Sequence, residues 1–363
     1  MSTFDAQNIE STSGGAPDFS QGLNVGGVDI NTIVTMTEYY GQAGQPSSPA
    51  NGAVWWDGTT ARQYVGSDWR DLSVTAPYRS IGDRGLFGGG SSTTNLIDYI
   101  DITTPGNAVD FGDLTVARYG LAACSNGTYG LFGGGTTGSN SNVMDYVTIA
   151  TTGNATDFGD LTVARYGIAA CSDNTYGLFG GGTTGSYSNV IDYVTIATTG
   201  NATDFGNLTL SRQDLAGCGS VTYGLFGGGN NGSNSNVIDY VTVASPGNAT
   251  DFGDLTVARY GPGACSDGTY GLFGGGNQNS GRSNIIDYVT IDTPGNATDF
   301  GDLTATTRLL ASCSNGTYGV WGGGFDGAVT NTIVYVTIAT PGNATDFGDL
   351  TVVRYYLSAC SGD

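Results

Sequence analysis

Residues 165–209 read RYGIAACSDNTYGLFGGGTTGSYSNVIDYVTIATTGNATDFGNLT, and this stretch decides the fold because the chain repeats it with a period of about 47 residues. The tripeptide Gly-Gly-Gly starts at Gly88, Gly133, Gly180, Gly227, Gly274 and Gly322. A second marker, Asp-Phe-Gly-(Asp/Asn)-Leu-Thr, sets its aromatic at Phe111, Phe158, Phe205, Phe252, Phe300 and Phe347. Two markers held in one phase define six copies of a single supersecondary unit, each stacked on its neighbours.

Within the unit, 166–172 is a run of small and aliphatic residues closed by the turn Asp173-Asn174, and 175–179 reads as a second strand that stops at the glycine triplet. The polar loop 183–189 leads into 190–197, where Asp192, Val194 and Ile196 alternate with Tyr193 and Thr195 as in a half-buried strand. A Thr-Gly-Asn turn then precedes a short final strand at 204–209. Four antiparallel strands per period of this length predict an all-β chain whose units are propeller blades. The run richest in Gly and Ala fits the narrow axis, so 166–172 is expected innermost and the aromatics farther out. The first copy has only 78–83 ahead of 85–87, whereas the chain ends on YYLSACS at 355–361 with no unit after it. The C-terminal strand is therefore expected to complete the first of six blades and hide the sheet edges.

Composition agrees and excludes several functions. Gly supplies 62 residues, and charged residues are 12% of the chain against about 25% in ordinary domains, which suits tight turns and strands. There is no His and no Lys; the basic residues are eleven Arg against 32 Asp and Glu. Without His there is no Ser-His or Cys-His pair and no imidazole metal ligand, and without Lys there is no phosphate-loop lysine or Schiff base. A net charge of −21 opposes binding to nucleic acid or anionic lipid. No apolar run reaches 18 residues, and no basic segment precedes an apolar one at the start, so neither membrane insertion nor a secretory signal is expected. No cofactor is expected either.

Several residues recur once per copy. Cys124, Cys171, Cys218, Cys265, Cys313 and Cys360 sit at equivalent positions a whole unit apart, beyond the roughly 7 Å between Cα atoms that a disulfide spans. They are expected to be free, buried and small, with a metal-binding thiol ring as the alternative. One Arg precedes each innermost strand: Arg118, Arg165, Arg212, Arg259, Arg308 and Arg354. The structural expectation pairs them with Asp98, Asp145, Asp192, Asp239 and Asp287; the functional alternative is a guanidinium ring gripping an anion. The Asp pair of the second marker, such as Asp157 and Asp160, is read as turn chemistry, with Ca²⁺ as the alternative. The Asn-Ala-Thr sequons at Asn154, Asn201, Asn248, Asn296 and Asn343 are read as the turn between the two outer strands.

The six copies disagree most in the loop after the glycine triplet: SSTTN, TTGSNSN, TTGSYSN, NNGSNSN, NQNSGRSN and FDGAVTN. In an up-and-down blade that loop shares a face with the connection into the innermost strand, which varies at Gln213-Asp214, Leu309-Leu310 and Tyr355-Tyr356. Loops on a rigid scaffold are where recognition usually sits. The expected ligand-binding residues on this variable face are Tyr187, Asn277, Gln278, Arg282, Phe325 and Asp326, against a background of unconstrained loop drift.

The units resemble kelch repeats in the strand entering a glycine triplet (GLFGGG), the following NVIDYVTI strand, and the later aromatic and arginine, Phe158 and Arg165 in one copy. The resemblance covers 84–361 and implies a six-bladed, kelch-like propeller. Phe stands where kelch units carry Trp, and the spacing from Tyr146 to Phe158 is longer than theirs. The string CSNGTYGVWGGG is also similar to the regulator of chromosome condensation repeat, another propeller.

Residues 1–75 differ in composition and do not repeat. We divide the chain into an extended anchor and linker at 1–52, a small Trp-rich meander at 53–77, and the propeller at 78–363; 25–40 has room for one or two strands. The pattern Pro-x-Asn-Gly-x-Val-Trp-Trp-Asp followed by Tyr-Val-Gly-Ser-x-Trp resembles modules of bacteriophage tail-fibre and other virion proteins, and APDFSQGLNVGG resembles N-terminal stretches of marine phage structural proteins. This resemblance implies a non-enzymatic virion protein, a tail fibre or tail-associated adhesin presenting the propeller to host-surface glycan or protein. It also implies other virion proteins as partners, attached through Phe19, Leu23, Val25, Trp55, Trp56 and Trp69, and assembly as a homo-oligomer. The alternatives are a head fibre or capsid-decorating protein, a propeller glycosidase, and a cellular interaction adaptor.

Overall fold

The computed structural model describes residues 82–91 and 94–362 in full and, before them, the backbone of the short strands between Asn24 and Leu72. The chain divides into two compact units, Met1–Tyr78 and Arg79–Asp363.

The second unit is a six-bladed β-propeller. In the third blade, strands Ala169–Ser172, Tyr176–Gly180, Val190–Thr195 and Thr203–Asn207 pair antiparallel in chain order, and the other blades repeat the pattern. The innermost strand is shorter than 166–172, because Tyr166 pairs instead with Thr183 outside the sheet. Along Val190–Thr195 both Ile191 and Asp192 are buried because neighbouring blades cover both faces of the sheet: Ile191 shares a core with Phe226 of the next blade and Val194 with Phe158 of the one before. The register against the outer strand shifts between Ile191 and Asp192, with Phe205 of the outer strand as the extra, unmatched residue. The same shift recurs in all six blades.

The ring closes as expected. Ser358–Gly362 pairs with Arg84–Gly88, Ala359 opposite Phe87 and Cys360 opposite Leu86, so the chain end supplies the innermost strand of blade 1. The six innermost strands neighbour one another in a closed cycle around the axis. A girdle of hydroxyls reinforces the cycle. Ser125, Ser172, Ser266, Ser314 and Ser361 each donate to a carbonyl of the preceding blade at 2.6–2.8 Å; blade 4 has Gly219 there and lacks the hydroxyl. At the rim, each outermost strand would expose an unpaired edge. The turn of the next blade covers it: Asp160 N–H donates to Asn201 Oδ1 and Ala202 N–H to the Asp160 carbonyl, and the equivalent Asn accepts in every blade. The sequon asparagines therefore buckle neighbouring sheets together.

The glycine triplet has three distinct local reasons. A Cβ on Gly180 would lie 2.8 Å from the Phe226 ring of the next blade. Gly181 and Gly182 have φ of 73° and 95°, values that a side chain tolerates poorly. The six cysteines are buried and form no disulfide, and each Sγ occupies the space above a glycine in the next blade's second strand, 2.5–2.9 Å from where that residue's Cβ would stand. Burial pushes the Cys313 thiol up to about 12, which keeps it protonated and unreactive at neutral pH.

Five arginines form buried spokes. Arg118, Arg165, Arg212, Arg259 and Arg354 have fully buried side chains and pair within their own blades with Asp145, Asp192, Asp239, Asp287 and Asp98 at 2.7–3.0 Å. In blade 3, Arg165 also donates to the Phe179 and Val190 carbonyls, while Asp192 accepts from Thr162. Desolvation lowers the pKa of the arginines, and the paired carboxylates oppose it. Arg308 is not in this ring. Its neighbour Thr307 occupies the spoke position, with the Thr307 carbonyl accepting from Gly276 just as the Arg212 carbonyl accepts from Gly182. Val334 stands where the other blades carry the paired Asp, so blade 6 lost both charges together. A cavity of about 50 Å³ beside Thr307, Trp321 and Val334 marks the missing guanidinium.

In the first unit, Val54–Trp56, Ala61–Val65 and Asp68–Leu72 form an antiparallel meander, and Tyr39–Tyr40 adds to it in parallel. Asn24–Val25 and Val28–Asp29 pair separately. Trp55, Trp56 and Trp69 lie on meander strands and Val25 on the first hairpin; Phe19 and Leu23 fall outside the described residues.

Candidate recognition face

Two sets of loops meet at one end of the propeller, as the blade topology requires. The loop after each glycine triplet bridges to the connection into the innermost strand: Tyr119 with Thr136, Tyr166 with Thr183, Gln213 with Asn230, Tyr260 with Asn277, and Arg308 with Phe325. In blade 1, Tyr355 bonds Ser91 in the same way. A half-buried ring of Tyr119, Tyr166, Gln213, Tyr260, Arg308 and Tyr355 thus surrounds the axis.

The next residue inward closes the mouth. Gly120, Gly167, Asp214, Gly261, Leu309 and Tyr356 each donate a backbone N–H to the carbonyl of the one before, at 2.7–2.8 Å, in an unbroken circle of six. All six have left-handed backbone, with φ of 56–67°. Gly adopts this conformation freely, whereas Leu and Tyr do so at a cost of about 1–3 kcal/mol each. Three copies carry side chains here regardless. The Tyr356 hydroxyl crosses the axis to donate to Asp214 Oδ1 on the opposite blade, passing over Gly120 and Gly167, while Leu309 lies over Gly261. The three glycines leave the space that the three side chains fill.

Asp214 is 8% exposed. Burial raises its pKa to about 6, against the opposing hydrogen bonds from Tyr356 and Gln213 and the nearby Arg308 charge. Burial, with the Asp214 charge, holds the Tyr356 phenol well above its ordinary value. An acid whose folded pKa exceeds its unfolded one keeps its proton longer in the folded state. Its contribution to stability is therefore present at about pH 4 and is lost as pH rises to about 6, a change of about 3 kcal/mol. Asp214→Asn removes this loss. Urea melts at pH 4, 5, 6 and 7 are expected to show the variant gaining on the wild type across that window and the gap levelling above pH 6; a gap independent of pH would contradict the assignment.

The residues expected to bind ligand divide. Phe325 and Arg282 belong to one cluster with Arg308 and Tyr355: the Arg282 and Arg308 guanidiniums lie 5.6 and 5.4 Å from the Phe325 ring centre, and Phe325 meets Tyr355 edge-on at 6.0 Å. Tyr355 and Tyr356 are 6.4 Å apart, and Tyr356 and Tyr119 5.9 Å. Arg308 also donates to the Tyr260 hydroxyl. Asn277 and Gln278 form a small hairpin with Gly281 and Arg282 that positions this cluster. Asp326 is exposed beside it, its carboxylate accepting from Ala328 N–H. Tyr187 stands apart on the blade 3 loop, 41% exposed and donating to Asn230. Sequence reasoning missed Asp214, Leu309 and Tyr356 as a group; the signal was the Tyr-Gly pair of Tyr119-Gly120, Tyr166-Gly167 and Tyr260-Gly261, broken in the other three copies.

Along the axis lie cavities of about 90 and 50 Å³ walled by Ala, Gly, Ser, Cys, Leu, Ile168 and Pro262, with no carboxylate in either wall. No family model and no curated protein matches the chain.

Proposed function

We propose that this chain is a non-enzymatic structural protein of a bacteriophage particle, a tail fibre or tail-associated adhesin whose glycine-triplet face recognises glycan or protein on the host surface. The observation that carries the reading is the concentration of departures from the repeat. Asp214, Leu309 and Tyr356 with their strained backbones, the two arginines against Phe325, and the extra hairpin at 277–282 all fall on one face. The opposite ends of the blades repeat nearly the same Pro/Thr-Gly-Asn-Ala turn six times. Strain kept at one mouth of an otherwise regular ring supports reading that mouth as a functional site. The virion assignment rests on the resemblance of the N-terminal segment. The carboxylate-free axial cavities favour recognition over glycoside hydrolysis, which needs two converging acids.

Soluble full-length protein, added to host cells before the particles, is expected to block adsorption, and the Tyr356→Ala, Arg308→Ala double variant is expected to block it at least tenfold less well. Absence of competition, with antibody to residues 130–300 decorating only capsid faces, would move the protein to head decoration. A partner held in cell lysate with no particle association would make it a cellular adaptor.

A further inference from the structure

We infer that the face between blades 5, 6 and 1 binds an acidic saccharide, a carboxylated or sulfated sugar stacked on Tyr355 and Phe325 with its anionic group on Arg282 and Arg308. The inference rests on the recognition reading above and names its ligand class.

The first ground is charge. Of the eight arginines among the described residues, five are buried spokes, and Arg84, at the opposite end of the propeller, donates to the Ile149 carbonyl and covers Tyr99. The remaining two, Arg282 and Arg308, flank a single ring, Phe325. Among the described residues neither forms an ion pair. In a chain of net charge −21, two cations converging on one ring, with Asp214 acting on Arg308 only from beyond ion-pair distance, are not the by-product of a basic surface. Arg282 is exposed and offers its planar N–H fork to a carboxylate or sulfate, whereas Arg308 holds the Tyr260 hydroxyl with Nη1 and buries Nε, which leaves Nη2 for the anion.

The second ground is shape. Phe325, Tyr355, Tyr356 and Tyr119 form a continuous chain of ring contacts across the mouth, and all four are only partly buried. Rings that are large, rigid and polar at one end suit the apolar face and hydroxyl edge of a pyranose. Gln213 and Asn277, on the same ring of loops, add amides for hydroxyls. An acidic peptide satisfies the arginines but makes no particular use of the aromatic chain.

Affinity electrophoresis of the full-length protein in native gels cast with polygalacturonate, dextran sulfate or neutral dextran tests this. Retardation is expected in at least one acidic gel, weakening with added salt, and none is expected in dextran; the two acidic gels separate carboxylate from sulfate. The Arg282→Gln, Arg308→Gln double variant and Tyr355→Ala are each expected to bind at least tenfold more weakly with an unchanged unfolding midpoint. Arg84→Gln, which removes one positive charge from the other face, is expected to bind as the wild type does. No retardation in either acidic gel, equal retardation in dextran, equal competition by polyglutamate, or full retention by the double variant would each overturn the inference. Should it fail while the soluble protein still blocks adsorption, recognition stands and its ligand is neutral or proteinaceous.

Discussion

A chain ending at Leu357 will not hold the propeller closed. Removing 358–363 strips blade 1 of its innermost strand and leaves the edge of Arg84–Gly88 open, with Leu86 and Phe87, both 0% exposed, facing the gap. It also removes two links of the hydroxyl girdle, Ser125 to the Ser361 carbonyl and Ser361 to the Ser314 carbonyl. An unpaired strand beside exposed core recruits other chains, so the truncated protein is expected to aggregate or to lose its cooperative urea transition. Moving 354–362 to a position just before Arg84 through a flexible linker restores the same pairing from the other end and is expected to recover a single transition. A truncated chain that melts like the wild type would show that the terminal strand closes nothing.

The second large effect concerns the spokes. Asp192→Val leaves Arg165 buried with its charge opposed only by carbonyls and the more distant Asp204, and breaking a buried pair in this way costs about 3–5 kcal/mol. Adding Arg165→Thr reproduces what blade 6 already has in Thr307 and Val334. The double variant is expected to recover most of that loss, apart from the cost of a cavity like the one beside Thr307. Unfolding midpoints of the two single variants and the double form a cycle whose coupling should be about 3 kcal/mol or more. Additive effects would show that Arg165 and Asp192 do not act as a pair.

The strands, the blade count and the terminal closure were legible because they repeat, and periodic burial leaves a periodic sequence. The spokes were legible for the same reason, and the one misplacement is instructive. Arg308 follows Leu303 by one residue more than Arg259 follows Leu255, so matching by residue type chose it over Thr307, whereas matching by position selects Thr307 and pairs it with Val334. The axial latch was not legible. Tyr356 and Asp214 are 142 residues apart, and their contact follows from sitting on opposite blades of a closed ring, which no local pattern encodes. The bulge at Phe205 was not legible because it lies on a five-residue outer strand, too short to show a break in period. Arg282 and Phe325 could be read only as residues on a variable face; that they meet Arg308 and Tyr355 depends on the hairpin at Asn277–Gln278 and Gly281–Arg282.

The proposal that one end of this propeller meets a ligand on a virion, while the rest is scaffold, is tested most directly by a reconstruction of the proposed particle fine enough to orient the blades. The proposal predicts that the mouth capped by Tyr356 and Asp214 faces away from neighbouring particle subunits. A propeller whose capped mouth lies against neighbouring particle subunits would contradict it.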